Sequence, residues 1–228
     1  MLKPSLVKLA KPSIHIKKAM TLLEVMVMIL VLSITLTAMF TTLMKGMNLQ
    51  NLIQKRVQAQ NIAREGIEGV VNLRNTNWLR FTSNRENCWK VQNYDAKCIT
   101  EKPDDTNTSL KIKDGSYILK RQNGLWKLTS TGAFEDQKWN KSMKDYQIFI
   151  DEKGWYTSSG AGITEICNSF KRTECKTPFS REIKIKPLND DNYLEVTAIV
   201  RWRDANPHKV TLKQTLSNWK SNYDNSGN

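Results

Sequence analysis

The chain has little of what most enzyme active sites are built from. Only two of its 228 residues are histidines, His15 and His208, which argues against a histidine-dependent hydrolase. It contains no Gly-x-Ser-x-Gly nucleophile motif, no phosphate-binding loop, no His-Glu-x-x-His zinc motif and no dinucleotide fingerprint. We therefore expect that the protein is not an enzyme and that it carries no cofactor.

Cysteine is scarce too, and its placement favours disulfides over a metal site. The chain has four cysteines, Cys88, Cys98, Cys167 and Cys175. An even number suits a disulfide-bonded protein of an oxidising compartment. Three pairings are possible, and we favour Cys88–Cys98 and Cys167–Cys175, because each encloses a short polar loop. The spacings are not Cys-x-x-Cys, which argues against zinc.

The acidic patches at 104–105 and 189–192 lack the ordered spacing of a calcium loop, so we interpret them as solvated turns.

Charge is missing from one long segment near the start of the chain. Residues 25–44 are twenty uncharged residues, which as a helix measure about 30 Å, enough to span a bilayer core. Residues 1–19 hold five lysines and no acidic residue, so we expect them on the cytoplasmic side. A secretory signal is cut after its apolar segment, whereas here the small residue Ala19 precedes it. Glu24 lies at the edge of the apolar run, where a carboxylate needs a partner of opposite charge.

Residues 19–25, Ala-Met-Thr-Leu-Leu-Glu-Val, resemble the prepilin signature of type IV pilins and type II secretion pseudopilins. The resemblance implies that a membrane-embedded peptidase cuts between Ala19 and Met20 and methylates the new amine of Met20. It also implies that Glu24 neutralises this amine during assembly. The family usually has Gly before the cut and Phe after it, and this chain departs from both. Met after the cut is common among minor members, so the resemblance points to a minor subunit.

The resemblance further implies a structural function. We expect a minor pilin or pseudopilin that is cleaved, anchored by one helix in the cytoplasmic (inner) membrane with its C-terminal head outside, and assembled into an extracellular or periplasmic filament. Such a filament would serve adhesion, motility, secretion or DNA uptake. The implied partners are other pilin subunits, the prepilin peptidase, the assembly platform and the membrane. The alternative is a single-pass, membrane-anchored extracytoplasmic binding protein that never polymerises.

The chain is strongly basic. Its formal net charge is +13, and the five lysines of the leader leave +8 for residues 20–228. A basic head makes DNA a weak candidate partner, although a solvated lysine-rich surface is the simpler interpretation. We expect most of the seven tryptophans to lie in the core, and one exposed beside Lys or Arg is a candidate contact for a glycan or for nucleic acid.

The apolar helix is predicted to continue as an amphipathic helix beyond the membrane. Apolar residues recur at steps of three or four along it, at Leu49, Ile53, Val57, Ala63, Ile67 and Val70, with a phase slip between Val57 and Ala63. The turn-favouring residues Asn75-Thr76-Asn77 predict its end, which gives a helix over 21–75. Residues 78–108 are polar and are predicted to form a loop region.

The rest of the chain predicts antiparallel strands. Two hairpins are expected, one with strands 117–122 and 125–128 around Asn123-Gly124, the other with strands 146–150 and 155–157. Period-two alternation predicts three further strands at 181–186, 194–202 and 210–216, each with one buried face. In the second of these, the solvent face is assigned to Glu195, Thr197, Arg201 and Arg203.

Together these features predict an α+β pilin fold, in which a long N-terminal transmembrane and amphipathic α-helix packs on a small antiparallel β-sheet head. The predicted segments are a leader at 1–19, a transmembrane half-helix at 20–45, an amphipathic half-helix at 46–77, a β-rich head at 78–220 and a polar tail at 221–228.

Overall fold

The computed structural model describes residues 18–100, 111–150, 154–158, 175–188 and 192–219. The chain divides into two units, before and after Gln54, and the long helix α1 contributes to both. Because the leader up to residue 17 and the tail from residue 220 lie outside the described residues, the predictions made for them stay predictions.

Three α-helices and seven strands form the described part of the chain. The helices are α1 (Lys18–Arg80), α2 (Arg85–Cys88) and α3 (Trp139–Asp145). Short 3-10 turns occupy Thr82–Asn84, Ala96–Ile99 and Asp136–Lys138. The strands are β1 (Gly115–Gln122), β2 (Leu125–Thr131), β3 (Gln147–Ile150), β4 (Tyr156–Ser158), β5 (Lys176–Leu188), β6 (Tyr193–Arg203) and β7 (Pro207–Ser217).

In the first unit, α1 is an apolar helix whose described side chains, from residue 21 on, are all exposed except that of Leu52, which is half-buried. Its large apolar side chains from Leu22 to Met44 are 46–66% exposed. Side-chain hydroxyls within this stretch donate to backbone carbonyls three or four residues earlier, as Ser33 does to Ile29 at 2.7 Å and Thr37 to Ser33 at 2.8 Å. Such bonds leave no hydroxyl unsatisfied in an apolar environment. By length and composition, this helix could cross a membrane.

In the second unit, all seven strands join one antiparallel sheet around β5. One edge of β5 pairs with β6 from Ser180 to Leu188, and β6 pairs in turn with β7. The other edge pairs with β3 near Ser180 and with β1 near Ile183. The thirteen-residue strand β5 thus holds the two predicted hairpins and the C-terminal strands together.

Both hairpins are confirmed. Gln122 pairs with Leu125, so the connection has two residues, and Asn123 and Gly124 both have positive φ, at 51° and 78°. Two successive residues of this kind make the type I′ turn, whose twist matches that of the flanking strands. In the second hairpin, β3 pairs with β4 from Ile148↔Ser158 to Ile150↔Tyr156.

The second part of α1 packs on the sheet, so the predicted α+β architecture is confirmed. Its fully or nearly fully buried apolar residues are Ala59, Ile62, Ala63, Ile67, Val70 and Leu73. Two glycines permit the close approach. A Cβ added at Gly66 would lie 2.9 Å from the Arg181 side chain, and one at Gly69 would lie 2.5 Å from Leu119. Any larger residue there would push the helix and the sheet apart.

The phase slip in the predicted apolar stripe marks the place where packing against the sheet begins. Leu49, Ile53 and Val57 are 57%, 52% and 49% exposed, and burial begins at Ala59. An α-helix turns by about 100° per residue, so the six-residue step from Val57 to Ala63 puts these side chains about 120° apart around α1. The stripe therefore consists of two different faces, of which the sheet covers only the second.

The predicted end of α1 is too early. The helix continues through residues 75–77 to Arg80. Asn77 does not break the helix, because it is fully buried and its Nδ2 donates to the carbonyl of Val91 at 3.0 Å. Trp78 is also buried, and its Nε1 donates to Asn218 Oδ1 at 3.3 Å. Tertiary hydrogen bonds thus replace the local turn that these residue types favour.

The segment after α1 is not a plain loop, contrary to the prediction. Between Thr82 and Ile99 it forms two 3-10 turns and α2. A small core holds it together, made of Phe81, Cys88, Val91 and Cys98 with Tyr94 packed against it. The polar composition of this segment did not indicate the core, because two of the four buried core residues are the cysteines of a disulfide.

Candidate functional site

The residues of the predicted cleavage site lie at the start of α1. The helix begins at Lys18, so the peptide bond between Ala19 and Met20 belongs to its first turn. The leader residues 1–17 lie outside the described part of the chain.

Glu24 projects from the first unit one helical turn beyond Met20. Its side chain is exposed, and no described residue forms an ion pair with it. Four residues of α-helix rise about 6 Å, so an amine created at Met20 would come within reach of this carboxylate on the same or a neighbouring chain. The arrangement offers one negative charge at the edge of an apolar helix, which is what a charge-pairing role requires.

The cysteines act as structural links in the described part of the head. Cys88 and Cys98 form a disulfide with Cα atoms 5.2 Å apart, as predicted. Cys175 is disulfide-bonded as well. Its predicted partner, Cys167, lies outside the described residues. The Cys88–Cys98 bond closes the segment that follows α1 and so fixes the small core beside the helix end.

A buried carboxylate, Glu182, organises the face of the sheet opposite to α1. It is fully buried and accepts hydrogen bonds from Ser116 Oγ at 2.7 Å, Phe134 N at 3.1 Å and Arg201 Nη1 at 2.8 Å. Burial by itself would raise the pKa of Glu182, but these bonds and the Arg201 charge outweigh it, so the pKa is lowered. Glu182 is therefore ionised at neutral pH and bound on three sides.

The assignment of Arg201 to the solvent face was wrong. Only 8% of this residue is exposed, and its guanidinium lies 4.0 Å from the centre of the Phe134 ring while it pairs with Glu182. The segment from Phe134 to Tyr146 covers this part of the sheet with a second core of Ile118, Phe134 and Tyr146. Alternation along one strand cannot reveal such a cover, because the covering residues come from another part of the chain.

A second buried charge, Arg181, links the sheet to α1. It is fully buried and donates to the carbonyls of Ile62 at 3.1 Å and Tyr156 at 3.0 Å. Glu65 lies 3.9 Å from its guanidinium and accepts from Tyr156 N at 3.1 Å. Burial lowers the pKa of Arg181 to about 10, and the Glu65 charge opposes this shift.

Sequence reasoning treated Arg181 as part of an ordinary strand and gave it no role. The available signal was its place two residues before Ile183 and four before Ile185, which puts all three side chains on one face of β5. An arginine on an apolar face is costly unless it is bonded, so it marks a polar link between elements.

None of these groups forms a catalytic or metal-binding constellation. In the described ranges, no group of three or more His, Cys, Asp or Glu side chains is placed to hold a metal ion. The buried charges bind one another and the backbone, which is the arrangement of a structural network.

Comparison with known proteins adds no relative. No family model, no curated protein and no solved structure matches the chain.

Proposed function

We propose that the protein is a minor type IV pilin or pseudopilin, a structural subunit of an extracytoplasmic filament. The observation that carries the proposal is one continuous helix with two environments. Its first part begins with the prepilin-like residues 19–25 and leaves its apolar side chains exposed, and its second part packs on a β-sheet head. A subunit of this kind can reside in a membrane before assembly and bury its apolar part among other subunits afterwards.

The roles of the N-terminal residues follow from the same proposal. The peptidase removes the leader between Ala19 and Met20, and the new amine of Met20 becomes N-methylated. Glu24 then pairs with such an amine and sets the register of the subunit against its neighbours. The partners are other pilin subunits, the peptidase, the assembly platform and the membrane, with the head on the outer side.

The first test is the N terminus of the mature protein. Intact mass and N-terminal peptide mapping of membrane-extracted protein from its native host should give a chain that begins at N-methyl-Met20. A chain that still carries residues 1–19, in a host with an active prepilin peptidase, would contradict the proposal. It would favour a membrane-anchored binding protein that does not polymerise.

The second test separates assembly from processing. Glu24→Gln removes the charge and keeps the size of the side chain, so insertion and cleavage should continue while the amount in sheared filaments falls at least tenfold, because the amine loses its partner. Glu68→Gln, a change at an exposed position of the second unit, is the matched control. Equal incorporation of Glu24→Gln and the unmodified chain would exclude the charge-pairing role.

A further inference from the structure

A pocket opens on the outer face of the head, where β6 and β7 meet the segment that contains α3. Its volume is about 390 Å³, and Trp139, Arg201, Arg203, Lys209 and Asp136 are among its lining residues. Pockets of roughly 300–1,000 Å³ are the size that holds small ligands. Its lining residues all belong to the second unit.

Arg203 is held in place at this pocket by an aromatic ring. Its guanidinium carbon lies 4.6 Å from the centre of the Trp139 ring, and Trp139 is in turn packed edge-to-face with Phe134 at 5.3 Å. A guanidinium carries its N–H groups in one plane, where they can bind a carboxylate or phosphate through two parallel bonds. In the described part of the chain, no carboxylate lies within 4.0 Å of Arg203.

Two further cations approach the same place through the register of the sheet. Arg201 and Lys209 are direct cross-strand partners on β6 and β7. Arg201 is neutralised by Glu182 at 2.8 Å, whereas Lys209 forms no ion pair with any described residue. Lys209 and Arg203 are thus two uncompensated cations at one pocket, against the single carboxylate of Asp136.

We propose that this pocket binds a small hydroxylated anion, that is, a sugar acid or a sugar phosphate, alone or as the terminal unit of a glycan. Arg203 and Lys209 bind the carboxylate or phosphate group. Asp136 accepts a hydrogen bond from a sugar hydroxyl, a contact that an anion without hydroxyl groups cannot make. The size of the pocket suits one sugar unit.

The geometry does not favour nucleic acid as the ligand. Binding of single strands relies on open aromatic faces on which bases stack. The Trp139 ring is already engaged by Arg203 and Phe134, so a base would have to displace one of them.

Equilibrium binding to the full chain in detergent tests the proposal, with glucuronate and glucose 6-phosphate as the two probes and glucose as the neutral reference. We expect at least one anion to bind saturably, and Arg203→Gln to weaken that binding by about tenfold or more, because a charge-assisted pair of bonds is lost. Lys209→Gln should weaken it less, and glucose should not bind. Comparison of the two probes identifies the preferred anionic group.

The matched control is Arg80→Gln, since Arg80 also stacks on an aromatic ring, with its guanidinium carbon 4.9 Å from the centre of Tyr94, but lies outside the pocket. Arg203→Lys tests whether the two parallel bonds of the guanidinium are needed, because it keeps the charge and loses the planar donors. Unchanged circular dichroism establishes that each variant is folded.

The proposal is overturned if neither anion binds, if Arg203→Gln binds as well as the unmodified chain, or if Arg80→Gln weakens binding equally. Binding of an oligonucleotide alone, lost in Arg203→Gln, would also overturn it.

Discussion

The two parts of α1 have the same backbone and opposite surroundings. Before Gln54, apolar side chains cover all sides of the helix, and those from Leu22 to Met44 are 46–66% exposed. After it, apolar residues and glycines line the face that meets the sheet, where Ile62 and Leu73 are fully buried, although Val57 and Leu79 are 49% and 72% exposed. The difference shows that hydrophobicity alone does not place a residue in the core. What matters is whether the chain supplies a surface that fits it.

The largest effect should come from breaking the buried charge pair of the head. Glu182→Ala leaves Arg201 buried without its partner and removes the acceptor of Ser116 and Phe134 N. We expect a loss of about 3–5 kcal/mol in the free energy of unfolding. Denaturant unfolding of the full chain in detergent, followed by tryptophan fluorescence, measures it.

Its control is an ion pair on the same sheet that faces solvent. Lys213 pairs with Glu195 at 2.7 Å, and their side chains are 60% and 24% exposed. Glu195→Ala should cost only about 0–1 kcal/mol. If Glu182→Ala and Glu195→Ala lost the same free energy of unfolding, burial of the Glu182–Arg201 pair would add nothing to the stability of the head.

The disulfide should have the next largest effect. Cys88 and Cys98 are ten residues apart, and opening a loop of this length is expected to cost about 2–3 kcal/mol on the chain-entropy model. The double variant Cys88→Ala/Cys98→Ala should show this loss in denaturant unfolding. An unchanged midpoint and slope would mean that the core around Phe81 and Val91 holds without the link.

The glycine contacts allow the two parts of α1 to be compared with a single substitution. Gly69→Val places side-chain atoms against Leu119 and Trp126, and we expect the head to lose about 1–3 kcal/mol by overpacking. Gly46→Val changes the same residue type in the first part, where an added Cβ meets nothing within 4 Å. Thermal unfolding of both variants should show destabilisation only for Gly69→Val. Destabilisation of the head by Gly46→Val would contradict this picture of the first part.

Much of this fold could be predicted because short sequence patterns specify its turns, its strands and its apolar helix. The dipeptide Asn123-Gly124 specified a turn, and alternation around Ile183 and Ile185 specified a strand. The apolar run and the motif around Glu24 were equally visible in the sequence. Local sequence patterns gave the wrong end for α1. Asn77 favours a turn, but it stays in the helix because its side chain donates to the carbonyl of Val91, 14 residues further on.

The polar sites of the head depended on contacts between distant parts of the chain. Arg201 is 19 residues from Glu182, and Glu182 is 48 residues from Phe134. Arg203 meets Trp139 only because the segment with α3 folds over β6. Neither the buried network nor the pocket has a local pattern, so the sequence alone could not have placed them.

The smallest effect concerns pH and rests on the same carboxylate. The pKa of Glu182 is lowered from its ordinary value of 4.5, so near and below this pH the unfolded chain binds more protons than the folded one. The stability that ionised Glu182 contributes is therefore present above pH 4.5 and is lost as the pH falls through the folded-state pKa.

Denaturant unfolding at stepped pH from 7 to 3 should show this loss. Glu182→Gln cannot titrate, so its stability should fall less steeply over the same range. Identical slopes for the two proteins would assign the acid sensitivity of the head to other carboxylates and leave the Glu182 network without an electrostatic role.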